Sequence, residues 1–329
     1  MEFQTKIILL SFAISIAMAL IVIPILRRLK VGQIERTEGP QSHLKKQGTP
    51  TMGGIIMIIT ILIMAVFMVW NYMRSTDANE VETGKNLIPI IAVTVGFGII
   101  GLIDDLKKLI GKNTEGLKPA YKMLGLLIVS VGFSLYLTQI LHLGTDIYIP
   151  FVKTYFAIPV WIYVPLSVLV LIATTNAINL TDGIDGLSTS VTTIILTCLT
   201  VIGVILNIKV ITIFGSILIG SCLAFLVFNL HPAKVMMGDT GSLLLGGAIA
   251  SIALYLKMPL LLLIIALVPI IETLSVMIQV SHFKKTGERV FKMTPIHHHF
   301  ELSGWKENKI VSVFSLITLI CCIVGLMSI

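Results

Sequence analysis

Ten long apolar runs, most of them near the roughly 20 residues that a bilayer-spanning helix needs, constrain this chain more than any other feature. They occupy residues 7–26, 52–70, 87–103, 123–141, 158–175, 189–206, 211–228, 241–256, 259–280 and 309–329. Hydrophobic residues make up 56% of the sequence, charged residues only 12%, and the mean hydropathy is +0.98. Soluble domains average about 25% charged residues. The expected fold is therefore an all-α integral membrane protein with about ten transmembrane helices. No internal repeat, low-complexity tract or long linker divides it, so residues 1–329 read as a single polytopic domain. The first run is as long as a span and lacks an A-x-A-like cleavage site, so no cleavable signal peptide is expected. All four cysteines lie within apolar runs, where they read as small buried hydrophobes rather than a disulfide framework.

Lys and Arg set the orientation, because cytoplasmic connections carry them in excess. The connections after runs 1, 3, 5, 7 and 9, with Lys309 at the mouth of run 10, hold eighteen of the twenty-four. These connections are expected inside, which puts both termini outside. The connection from residue 142 to 157 alternates apolar and polar residues, as in Asp146-Ile147-Tyr148-Ile149, and reads as a small external hairpin between spans 4 and 5.

The polar residues gather on the inner side. Asn176 to Gly186 reads NAINLTDGIDG, with Asn176, Asn179, Asp182 and Asp185 between two apolar runs and no basic residue nearby in sequence. A helix start capped by Thr181 or Asp182, with Asp185 in its first turn, accounts for one acid. The second acid and the upstream asparagines favour a polar site for phosphate or metal, since polar groups near lipid are costly unless paired or working. Asp104 and Asp105 follow the third run, at a helix end where the dipole disfavours negative charge. Lys107, Lys108, Lys112, Lys118 and Lys122 come next, suited to a phosphorylated substrate or to anionic lipid. The Gly96-Phe97-Gly98-Ile99-Ile100-Gly101 pattern lies inside an apolar helix with no preceding strand, so it is no dinucleotide fingerprint; its small residues suit close helix packing.

After run 7 comes Asn229 to Ser242, with Lys234 and with Asp239 set among glycines and hydroxyls. Asp239 suits either a helix cap or a magnesium ligand, since magnesium takes one or two carboxylates and completes its shell with water and phosphate oxygens. Lys45 to Gly54 puts cations, Thr51 and close-approach glycines where a helix begins, a natural anion site; a Gly-Pro turn into a Thr cap is the plainer alternative. Glu272 and Gln279 lie within or at the end of run 9, near Pro269, which should kink that helix. His297, His298 and His299 stand consecutively, a spacing that converges poorly on zinc and fits contacts to a phosphate or base better.

In order along the chain, TPTMGG, IDDLKK, NAINLTDGIDGL, FNLHPAKVMMGDTGSL and TPIHHHFE resemble the phospho-N-acetylmuramoyl-pentapeptide-transferases. These are a branch of the polyprenyl-phosphate N-acetylhexosamine-1-phosphate transferases. The likeness covers nearly the whole chain, and TPIHHHFE with the ETLSVMIQV run from Glu272 points to the muramoyl branch. It implies transfer of phospho-MurNAc-pentapeptide from UDP-MurNAc-pentapeptide to undecaprenyl phosphate, giving lipid I and UMP with Mg2+. It implies a multi-pass protein of the bacterial inner membrane with its active site on the cytoplasmic face. Asp239 is then the expected principal magnesium ligand and Asp104 the base for the lipid phosphate, with Asp105 supporting the metal or acceptor. Asn176, Asp182 and Asp185 line the uridine and diphosphate pocket, with Asn179, Asn229, Lys234 and Gln279 as further contacts. Lys46, Thr51, Lys108, Lys112, His297, His298 and His299 are expected to meet phosphate or nucleotide, His298 as a catalytic group. Substrate and bilayer are the expected partners and nucleic acid is not; a homodimer is left open. Two rival functions are a sister enzyme that transfers GlcNAc-1-phosphate and a transporter. A transporter would put coupling residues near the midplane rather than crowd its acids onto one face.

Overall fold

The computed structural model describes residues 2–29, 48–111 and 116–329. Its helices are α1 (Glu2–Arg28), α2 (Gly54–Met73), α3 (Ala78–Gly111) and α4 (Pro119–Leu135), the last continued by one π-helical turn to Ile140. A hairpin of β1 (Asp146–Ile149) and β2 (Thr154–Ala157) follows, antiparallel, with Ile147 opposite Phe156. Then come α5 (Val160–Thr181), α6 (Leu187–Ile205), α7 (Lys209–Asn229), α8 (Gly238–Tyr255), α9 (Leu262–Ile265), α10 (Leu267–Thr286), α11 (Ile296–Glu301) and α12 (Glu307–Met327).

Among the described residues, eight helices are long and apolar enough to cross a membrane, and the bent pair Pro259–Ile265 plus Leu267–Thr286 makes a ninth. The chain is an integral membrane protein. The expected tenth span is α8, and its composition explains the difference from the sequence reading. Its first turn is polar (Gly238, Asp239, Thr240, Gly241), and every residue from Thr240 to Tyr255 is buried within protein. It forms the centre of the bundle, packed chiefly on α3 and α5. A helix shielded from lipid by its neighbours does not need the hydropathy of a lipid-facing one.

Two local expectations change in place. The kink expected from Pro269 is present and turns the chain by 83°, with its break three residues earlier, at Ala266. Proline has no N–H for the carbonyl four residues back and crowds it. That carbonyl belongs to Ile265, the last residue of α9, so Pro269 ends α9 and sits within the first turn of α10. Asp104 and Asp105 are likewise not at a helix end, because α3 runs on to Gly111. Lys108 lies one turn past both acids and pairs with them, 2.6 Å from Asp104 and 3.7 Å from Asp105, which offsets the poor dipole position.

The ends of the bundle differ in kind. Ser11 and Ser15 of α1 contact Ile217 and Ser221 of α7, so these helices run parallel, and Phe3, Gln4 and Lys209 line one cavity at their N-terminal ends. The hairpin holds the C-terminal residues: Phe151 N–H and the Tyr148 hydroxyl both donate to the Ser328 carbonyl. Both termini and the hairpin therefore share one end of the bundle. Asp104 and Asp105 of α3, Asp182 just past α5 and Asp239 of α8 occupy the other.

Candidate active site

Three segments distant in sequence are drawn together at the polar end. Gly53 and Gly54 N–H groups donate to the Met236 and Met237 carbonyls, and Met236 N–H donates to Pro50. The TPTMGG stretch is thus laid directly against VMMGDTG. A β-carbon at Gly54 would collide with Gly241 backbone, and one at Gly101 with the Asp239 carbonyl, so glycine is required where α2 and α3 meet the start of α8. Gly238 has φ +72°, a region that L side chains rarely adopt. This turn aims Asp239 back across α3.

Asp105 fixes that turn from below. Its carboxylate accepts Thr240 N–H at 2.9 Å, the Thr240 hydroxyl at 2.7 Å and Asp239 N–H at 3.2 Å. Asp239 itself is the outward group. Lys122 and Lys108 donate to its Oδ2 at 2.7 and 3.0 Å, and Asn179 donates to its Oδ1 at 2.8 Å. Asn179 also reaches Ser242 at 2.8 Å. Asp104 accepts Leu117 N–H at 2.8 Å and is paired with Lys108. Oxygens of Asp104, Asp105 and Asp239 all lie within 4.8 Å of one another. Three carboxylates against two ammonium groups leave one formal negative charge in excess, and hard oxygen donors at this spacing suit magnesium.

Asp182 ends α5 beside this cluster and accepts a hydrogen bond from Gly238 N–H. Burial pushes its carboxyl up to about 8, and the negative charges of Asp239 and Asp105 add to the push. Neither Thr181 nor Asp182 caps the next helix: α6 begins after Gly186 at φ +76°, with no side-chain cap. Thr51 also reaches the site, its hydroxyl lying beside Gly238 and Asp105.

The remaining expected residues are placed elsewhere. Asp185 turns into protein and accepts from His231 Nδ1 and Ala233 N–H, both at 3.0 Å. The Asn176 amide donates to Ile172 within its own helix. Asn229 accepts the Thr189 hydroxyl and donates to the Val235 carbonyl, pinning the loop before Gly238. Gln279 is engaged by Val290 and Phe291 backbone, and Lys234 is exposed. The histidines diverge: His297 lies 3.1 Å from Glu272, His298 lies 2.7 Å from Glu301, and His299 accepts Lys292 N–H. His297 is fully buried and its ring fills the space beside Gly183, so it packs on the Asp182 turn. Lys46 and Lys112 lie outside the described residues. Lys122, Thr240 and Ser242 are site residues that the sequence does not single out. Lys122 was visible only as one of five nearby lysines, and the hydroxyls only as neighbours of Asp239.

Comparison with known proteins agrees with this geometry. A family model described as Glycosyl transferase family 4 matches residues 87–257, which carry Asp104, Asp182 and Asp239. Residues 46–58 match signature 1 of phospho-N-acetylmuramoyl-pentapeptide-transferase, the segment laid against the Asp239 loop. The phospho-N-acetylmuramoyl-pentapeptide-transferase of Acetivibrio thermocellus is 49% identical over 96% of this chain and 92% of its own length. Those of Clostridium botulinum (strain Eklund 17B) and Clostridium perfringens (strain SM101) are each 48% identical, covering 97% and 98% of this chain and 94% and 95% of their own. With a signature matched at the site and near-half identity from end to end, the chain belongs to the phospho-N-acetylmuramoyl-pentapeptide-transferase family, membrane transferases of peptidoglycan synthesis.

Proposed function

We propose that this chain transfers phospho-MurNAc-pentapeptide from UDP-MurNAc-pentapeptide to undecaprenyl phosphate, releasing UMP and forming lipid I. An oxygen of the lipid phosphate attacks the phosphorus that bears the sugar, and the donor's P–O–P bond breaks as UMP departs. The observation that carries this reading is the junction of Asp104, Asp105, Asp182 and Asp239 with Lys108 and Lys122. Phosphoryl transfer asks a protein mainly for positioning and charge compensation, and this cluster offers both.

Asp239 and Asp105 would hold Mg2+, which when bound spreads the negative charge of the transferring phosphoryl group. Lys108 and Lys122 bring positive charge to the same face, and Asp104 takes the proton of the acceptor phosphate. Asp182, Asn179 and Thr51 face the donor's diphosphate. Asp105 acts from beneath by holding the Gly238–Asp239 turn. Exposed apolar side chains occur in the segments that carry Asp104 and Lys122, with Ile110 and Tyr121 81% and 63% exposed. A lipid-borne phosphate would approach Asp104 along these segments.

The test is UMP release by purified protein with undecaprenyl phosphate and Mg2+. UDP-MurNAc-pentapeptide should support turnover, UDP-GlcNAc should not, and chelation should stop the reaction. Turnover with UDP-GlcNAc alone would instead favour the sister activity.

The Lys and Arg asymmetry supports a cytoplasmic location for this end of the bundle, in what the family membership suggests is a bacterial inner membrane. Exposed Ser303, beside α11, and Val152, at the hairpin tip, are suitable reporters. In a background without native cysteines, Val152→Cys should react with an impermeant thiol reagent in intact cells, and Ser303→Cys only after lysis. The opposite pattern would invert the orientation.

A further inference from the structure

Away from the acid cluster, a second group of ionisable side chains joins three segments. Asp185 is 2% exposed and sits in the turn between α5 and α6. His231 lies in the loop between α7 and α8, and Glu307 opens α12. His231 Nδ1 is 3.0 Å from Asp185 Oδ2 and 3.7 Å from Glu307 Oε2. Glu307 Oε2 also accepts Asp185 N–H at 3.4 Å, and Ala233 N–H donates to Asp185 at 3.0 Å. One imidazole N–H therefore faces two largely buried carboxylates, an arrangement that is costly without a donor between them.

The position of this group gives it a role. The turn that holds Asp185 begins with Asp182. The loop that holds His231 leads, past Asn229's grip on Val235, to Gly238 and Asp239. Joining these two segments fixes the separation of Asp182 from Asp239, with Gly238 N–H bonded across it. From the structure we infer that His231 and Glu307 are positioning residues: with Asp185 they clasp the Asp182 turn to the Asp239 loop and so preset the donor side of the site. This rests on the reading of Asp182 as a donor contact.

The clasp touches neither Asp104 nor the lysines, so its loss should be felt by one substrate. His231→Ala should raise the KM for UDP-MurNAc-pentapeptide about tenfold. The KM for undecaprenyl phosphate and kcat should stay within about threefold of wild type. His231→Asn places an amide N–H near the Nδ1 position and should restore most of the donor KM. Glu307→Ala should behave as His231→Ala does, and the double variant should be no worse than the poorer single, since the three groups act as a unit. The double variant also removes one of the facing carboxylates, so it serves if His231→Ala alone does not fold. An unchanged donor KM in both His231→Ala and the double variant, a fall confined to kcat, or additive effects would overturn the clasp. Wild-type protein inactive with this donor would instead sink the functional reading beneath it.

Discussion

Asp239→Asn is expected to lower turnover at least a hundredfold, a barrier increase of roughly 2.7 kcal/mol, while the protein remains folded and extractable. The substitution keeps size and shape, and the local turn does not depend on the lost charge. It is held by Asp105 through Thr240 and Asp239 N–H groups. What changes is the electrostatics. Lys108 and Lys122 would face an amide where each now meets a carboxylate oxygen within 3.0 Å. The formal excess negative charge of the cluster would vanish, and with it much of the attraction for a divalent cation. Turnover and thermal unfolding of the purified variant check this together. If the folded variant kept more than about a tenth of the rate, a barrier change under roughly 1.4 kcal/mol, Asp239 would not be the principal ligand.

Much of this site was legible from sequence, for a physical reason. Acids flanking apolar runs have few ways to be satisfied, and strict alternation of spans put Asp104, Asp182 and Asp239 at one end. Crossing number gives the shared face, and the close packing at Gly54 and Gly101 brings the acids together there. The details that were not legible depend on where a side chain's hydrogen bonds go. Asn229 and Gln279 have the same chemistry as a nucleotide contact, yet the structure engages both with nearby loop backbone. Only the register of those loops decides between the two uses, and no periodicity encodes it. His231 and Glu307 are 76 residues apart and gave no local signal; a histidine before proline and a glutamate in a first helical turn both have ordinary explanations. The apparent helix end at Asp105 misled because Lys107 and Lys108 read as a surface run. Lys108 is instead the partner that lets α3 continue.

The two acidic sides of the site should separate in binding experiments. Asp104→Asn is expected to bind the nucleotide donor with near-normal affinity, measured by calorimetry with Mg2+, yet to lose turnover by at least a hundredfold. Asp104 is held by Leu117 N–H and Lys108, whereas the Asp182 turn meets the cluster at Asp239 and Asp105. Asp182→Asn should weaken donor binding itself, and the size of the loss should depend on pH. Burial holds this carboxyl up to about 8, so near pH 7 the empty site carries it mostly protonated, and asparagine is a fair copy of that form. Above pH 8 the wild-type group ionises and gains attraction for a cation-bound diphosphate, which asparagine never does. The affinity gap between wild type and Asp182→Asn should therefore widen from pH 7 to 9. A gap that narrows over that range would mean that Asp182 serves the donor as a neutral hydrogen-bond donor, and a constant gap would mean that its ionisation plays no part in donor binding. Loss of donor binding in Asp104→Asn, with Asp182→Asn unaffected, would exchange the two roles.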